Sequence, residues 1–179
     1  MESGFTALAD CRVAVVGLGL MGGSLALALR GKCASLSGYD VDSDTLQQAI
    51  ERGIIDRPID WSGGSPDLLI LAAPVNAILD WIAQLPATYS GKLHLLDLGS
   101  TKTQIVTAMQ QLPDRISPIG GHPMCGKEAS GLGAATSDLY RQRLFVLTPL
   151  KRTQPATLSL THLRPKISHS SCTSLGPMP

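Results

Sequence analysis

Three groups of residues in this chain have the types and spacing to do chemistry. The first is Gly17-Leu-Gly19-Leu-Met-Gly22, a G-x-G-x-x-G pattern set between the apolar run Arg12 to Gly17 and a Leu/Ala-rich segment. In a strand-turn-helix setting the first glycine permits a tight turn, the second lets a pyrophosphate approach the main chain, and the third lets helix and strand pack closely. N–H groups at the head of the helix then face the phosphate charge. A glycine turn without a ligand is the bland alternative. The second group is Asp40, which follows the next apolar run. A carboxylate there accepts hydrogen bonds from both ribose hydroxyls of NAD and repels a 2′-phosphate, so NAD is favoured over NADP. No Arg or Lys occurs between Lys32 and Arg52 to neutralise such a phosphate. Capping of the following helix is the simpler role open to Asp40.

The third group comprises Asp97-Leu-Gly-Ser100-Thr-Lys102 and Gly120-Gly-His122-Pro-Met-Cys-Gly126-Lys-Glu128-Ala-Ser-Gly131. Each follows an apolar run, which places both at the carboxyl edge of a sheet. A histidine whose pKa lies near ~6.5 can accept a hydroxyl proton while neutral and carry it as charge develops. Lone histidines in loops are more often structural, but the flanking glycines and the place after a strand favour chemistry for His122. Ser100 stands just before Thr101, which with Gln104 reads as a helix cap, so its hydroxyl is placed either to orient a neighbour or simply to cap.

Elements of one kind of fold must position these residues. Arg12 to Gly17, Leu36 to Tyr39, Asp67 to Ala73 and Leu93 to Leu98 read as strands, with Ile116 to Ile119 and Leu144 to Leu147 as two more. Between them, Ser24 to Arg30, a segment opening at Asp44 with Gln47, the run after Pro74 and the run after Thr101 carry helical spacing. A short strand before Trp61 and a Ser62-Gly-Gly-Ser65 turn are expected in between. Alternation of this kind predicts a Rossmann-type α/β fold, a doubly wound, mainly parallel sheet binding its ligand beyond the carboxyl ends of the strands.

Composition limits the partners. With a formal charge of +1 and 16% charged residues, no basic face is expected to track nucleic acid, and the partner is a small molecule. The apolar stretch Val13 to Leu29 is short of the ~20 residues of a membrane span and is interrupted by glycines. No membrane association is expected. Cys11, Cys33, Cys125 and Cys172 lack a framework spacing, and Glu2 and Asp10 stand where a leader would be basic, which points to the cytoplasm. His162, His169 and Cys172 lack the paired spacing of a zinc site, so no metal is expected.

The motifs quoted above, with Ala73-Pro74-Val75 and Leu139-Tyr140 before Phe145-Val-Leu-Thr-Pro149, resemble in order and spacing the prephenate and arogenate dehydrogenases of tyrosine biosynthesis, over roughly residues 11 to 150. The resemblance implies an NAD(P)-dependent oxidative decarboxylation of prephenate or arogenate. It implies cofactor contacts from Gly17, Gly19, Leu20, Met21, Gly22, Asp40, Ala73 and Pro74, and catalytic roles for His122 and Ser100. It places Glu128 near the substrate entrance, where an exposed solvating carboxylate is the plainer reading. Cys125 and Lys127 stand where the family commonly has alanine and threonine. β-Hydroxyacid dehydrogenases share the Gly-Leu-Gly-x-Met-Gly start but leave the His122 segment unexplained.

Residues 1–150 are therefore expected to form the nucleotide-binding domain. From residue 151 to 179, Ser, Thr, Pro, His and Lys dominate, and an irregular, poorly ordered tail is expected. Family members form homodimers through a helical domain that the tail does not resemble. Truncation, and with it an inactive nucleotide-binding remnant, is the expectation that competes with an active enzyme.

Overall fold

The computed structural model describes residues 7–61 and 66–161. The Ser62–Ser65 turn and the His162, His169 and Cys172 group lie outside the described residues. β1 (Arg12–Val16), β2 (Ser35–Tyr39), β3 (Arg57–Pro58), β4 (Leu68–Leu71), β5 (Leu93–Asp97), β6 (Ile116–Pro123) and β7 (Phe145–Pro149) form one sheet in the order β3-β2-β1-β4-β5-β6-β7. All neighbours pair parallel except β6 and β7, which run antiparallel.

Strand residues alternate between two faces, and both faces are apolar. Val13, Val15, Leu68, Ile70 and Leu96 pack on one side with Leu25 and Leu29 of α1 (Leu20–Leu29) and Ala49 of α2 (Ser43–Glu51). Ala14, Val16, Leu69, Leu71 and Leu95 pack on the other with Ile78, Ile82 and Leu85 of α3 (Val75–Thr88) and Ile105 and Met109 of α4 (Thr103–Gln110). Each such side chain removed from water contributes about 1.5–3 kcal/mol. This two-sided burial is what the uninterrupted apolar runs signal, and it makes the fold the expected doubly wound one. Among the described residues no helix is long and apolar enough to cross a membrane.

Several local features differ from the sequence reading. α1 begins at Leu20, a turn earlier than expected, directly on the glycine loop. The cap of α2 is Asp42, whose carboxylate accepts from the N–H groups of Asp44 and Thr45, so Asp44 lies inside the helix. α4 begins at Thr103 with Lys102 at its head and no side-chain cap, so Thr101 does not cap it. β6 runs on to Pro123 because β7 returns beside it and pairs Gly120 with Thr148 and His122 with Val146. His122 is therefore in a strand, not in a loop.

The segment after Pro149 also departs from expectation. Pro155–Thr161 form a short helix, α5, and Leu160 is buried in the core on the α1 side. Thr157 Oγ1 lies 2.7 Å from His94 Nδ1 and 2.6 Å from Ser117 Oγ, and Gln154 N–H donates to Ser117 Oγ at 2.9 Å. Arg152 donates to the carbonyls of Leu112, Pro113 and Ile116. Sparse helical periodicity hid these polar anchors, which hold residues 150–161 to the sheet as a continuation of the domain.

Candidate active site

The strand order reverses between β1 and β4, and the loops beyond their carboxyl ends open the crevice where ligands bind in such sheets. Gly17 follows β1 with φ +85°, and a Cβ there would stand 2.6 Å from the Ala72 carbonyl oxygen. At Gly22 a Cβ would stand 1.8 Å from the Gly17 oxygen, so helix, loop and strand approach as closely as backbone allows. A Cβ at Gly19 would meet nothing within 4 Å. Two glycines are thus demanded by the fold, and the third leaves an open space above the α1 N-terminus. This asymmetry is what a phosphate cradle requires.

Asp40 follows β2 and its carboxylate is tied to the loop: Oδ2 accepts Leu18 N–H at 2.7 Å and Oδ1 accepts Asp42 N–H at 3.0 Å. A carboxylate has about four acceptor positions, so two remain for hydroxyl donors. Asp40 does not cap α2; Asp42 does. Val41, beside it, is 90% exposed, an apolar side chain left open at the mouth of the crevice. Ala73 and Pro74 follow β4, with Pro74 at the head of α3. Leu20 and Met21 form the first turn of α1, and the Met21 carbonyl accepts the Tyr140 hydroxyl at 2.8 Å. Burial pushes that phenol well above its usual range, which keeps it a donor.

On the other side of the crevice, β5 ends at Asp97 and β6 carries His122. Asp97 pairs with Gly120 across the two strands and is wholly buried. Its Oδ1 accepts Gly99 N–H at 2.9 Å and the Lys102 ammonium. Ser100 is exposed on the turn between them. His122 is partly buried, and its Nδ1 is enclosed without a hydrogen-bond partner. No hydrogen bond joins Ser100 to His122, although both stand at the carboxyl edge. By strand spacing, Asp40 at β2 and His122 at β6 mark two ends of a crevice on the order of 20 Å across.

Glu128 lies exposed in the loop after β6, apart from these groups. Next to it, Cys125, Lys127, Thr136, Asp138 and Arg143 line a cavity of about 220 Å³. Burial raises the Cys125 thiol, and the nearby Arg143 opposes that shift. Thr136 N–H donates to Ser24 Oγ at 3.0 Å, so this region is pinned to α1. Met124, Leu144 and Val146 leave apolar side chains exposed along the β6–β7 hairpin.

Sequence reasoning singled out Ser100 but missed the Asp97–Lys102 pair that surrounds it. The signal was present as an acid on the last position of an apolar strand with a base five residues on. Tyr140 entered that reasoning only as part of the family resemblance and without a role, because its contact with Met21 spans 119 positions of sequence.

Comparison with known proteins agrees with this geometry. Residues 25–163 match the family described as "Prephenate dehydrogenase, nucleotide-binding domain". The prephenate dehydrogenase of Bacillus subtilis is 37% identical over 152 residues, covering 79% of this chain and 40% of that protein. That of Lactococcus lactis is 36% identical over 144 residues, covering 76% and 40%. The chain thus spans about two fifths of the length of these relatives. Among solved structures, prephenate dehydrogenase from Aquifex aeolicus in complex with hydroxyphenyl propionate and NAD+ superposes with a TM-score of 0.77 at 32% identity, over 87% of this chain and 56% of that one. Synechocystis arogenate dehydrogenase superposes with a TM-score of 0.76 at 33% identity, over 84% and 54%. A 3-hydroxyisobutyrate dehydrogenase from Mycobacterium tuberculosis, at 13% identity and a TM-score of 0.62, shares the fold alone. With the family match covering well over half its length, this chain belongs to the prephenate dehydrogenase nucleotide-binding domain family.

Proposed function

We propose that this chain is the cofactor-binding portion of an enzyme that oxidatively decarboxylates prephenate or arogenate, with NAD preferred over NADP. The observation that carries the reading is His122, an imidazole with an unpartnered enclosed Nδ1 at the carboxyl edge of the same sheet that carries the Gly17–Gly22 cradle. The residues present fit a dinucleotide: Gly19 leaves open space, Gly17 and Gly22 bring the N-terminus of α1 to it, and Asp40 keeps acceptor positions for a ribose. Leu20, Met21, Ala73 and Pro74 would wall the cofactor. Bound there, the nicotinamide supplies the acceptor for the hydride of the oxidised ring carbon.

The chain's own groups then do the rest. His122 takes the proton of the ring hydroxyl as that carbon becomes a carbonyl, and the departure of the ring carboxylate as carbon dioxide leaves an aromatic ring. Ser100, on the neighbouring turn, orients the substrate hydroxyl. Glu128 lies toward the entrance. Asp40 sets the cofactor preference, because its carboxylate repels a 2′-phosphate and no cation lies within the α2 cap region to offset it.

The test is NADH formation by the purified chain with prephenate and with arogenate, beside calorimetry with NAD and NADP. NADH formation with one of the two substrates and tighter binding of NAD than NADP are expected. NAD binding without any NADH formation would favour a nucleotide-binding function alone. Absence of NAD binding would overturn the reading.

A further inference from the structure

The carboxyl ends of β5 and β6 hold a charge pair to which the proposed reaction gives no task. Asp97 occupies the last position of β5 with no exposed surface, and Lys102, whose side chain is one fifth exposed, donates to it from the head of α4. The carboxylate also holds Gly99 N–H, so it fixes the turn on which Ser100 stands. A Cβ on Gly120 would lie 3.4 Å from both Asp97 Oδ2 and Lys102 Cδ, so the pair packs against the bare face of that glycine. His122 is two residues further along the same strand and presents its side chain to the same face. One ion pair therefore touches both the Ser100 turn and the floor beneath His122.

Such a pair is a poor source of stability. Burial raises the Asp97 carboxyl above its ordinary value in spite of the ammonium and the N–H groups that oppose the shift. Neutral groups of similar shape commonly replace buried pairs without loss of stability.

We propose that Asp97 and Lys102 are a positioning pair that fixes the Ser100 turn against the His122 strand, and that their charges serve the reaction and not the fold. The proposal rests on the reading of His122 as the base. Neither residue touches the reacting atoms; both act through Ser100 and His122.

Asp97→Asn, Lys102→Met and Lys102→Arg in the 179-residue chain test it. In the first two, kcat is expected to fall at least about tenfold, while KM moves by less than about threefold and NAD affinity stays close to that of the parent; the melting temperature falls in both, because each leaves the other partner buried without its counter-charge. Lys102→Arg is expected to recover most of the rate. A second measurement needs no turnover: the His122 ring resonance in a carbon-correlated NMR spectrum, assigned by its loss in His122→Asn, shifts in the first two variants and returns toward its parental position in the third. Folded variants with parental kcat, or with an unmoved His122 resonance, overturn the proposal. So does NAD affinity falling in step with kcat, which signals general loosening. Should Asp97→Asn fail to fold, the Lys102 variants decide. A parent chain without turnover counts against the proposed reaction, and the ring resonance still decides the pair's coupling to His122.

Discussion

The two ends of the sheet use similar side chains for opposite ends. At the amino ends of the strands, side-chain polar groups largely satisfy one another, with the buried Arg152 Nε as an exception. Arg12 grips Asp67 through Nη2 at 2.7 Å and Nε at 3.0 Å, and Asp67 also accepts Arg12 N–H at 2.8 Å. His94, Thr157 and Ser117 form a closed chain of short hydrogen bonds. At the carboxyl ends the accounts are left open: Gly19 faces empty space, His122 Nδ1 has no partner, and Val41 and Met124 expose apolar surface. Polar groups that stabilise a fold are saturated by it, whereas groups that act on a ligand are left unfilled by it. A histidine belongs to one class or the other by its surroundings, and here His94 and His122 fall on opposite sides of that division.

The strongest expected effect comes from the open end. His122→Asn should lower the rate of NADH formation about 10²–10⁴-fold with little change in melting temperature, because its Nδ1 gives the fold no hydrogen bond. A large loss of stability in that variant would move His122 to the saturated class. Next come the glycines, which separate fold from ligand within one loop. Gly19→Ala should fold normally yet bind NAD at least about tenfold more weakly, as read by calorimetry. Gly22→Ala should fail to give a stable protein, since its Cβ would stand 1.8 Å from a backbone oxygen.

The converse is expected at the amino end. Thr157→Val leaves the buried Ser117 hydroxyl and His94 short of a partner and should cost about 1–3 kcal/mol in denaturant unfolding, without changing the affinity of the refolded protein for NAD. The smallest effect is a pH dependence. Burial lowers the His94 pKa, with the nearby Asp67 opposing the shift. The unfolded chain then takes up a proton before the folded one, so this residue's share of stability is full above about pH 6.5 and is lost as pH falls below it. Melting temperatures measured between pH 8 and 5 should decline on the acid side, and His94→Gln should flatten that part of the curve. A variant with the parental slope would remove His94 from the account.

Much of this division was legible in the sequence, because both the fold and the cofactor loop are written in local patterns. Apolar runs of strand length, Pro74 at a helix head and the three glycines each carry their reason within a few residues. What was not legible depends on strand pairing. Nothing near His122 announces that β7 will return antiparallel and extend β6 past it, and nothing near Thr157 announces a partner in His94, 63 positions away. Asp42 displaced Asp44 as a cap because two acids two residues apart offer the same signal and backbone geometry chooses between them. The segment after Pro149 showed little helical periodicity for a related reason: beside the buried Leu160, its anchors are single polar contacts from Arg152, Thr153 and Thr157.

The central claim is that the Gly17–Gly22 cradle and His122 serve one bound dinucleotide. An NMR titration of the chain with NAD, observing nuclear Overhauser contacts between the His122 ring and the nicotinamide protons, addresses it directly. The account predicts saturable contacts that disappear in Gly19→Ala at the same NAD concentration. NAD binding at the glycine loop with no contact to His122 would contradict it.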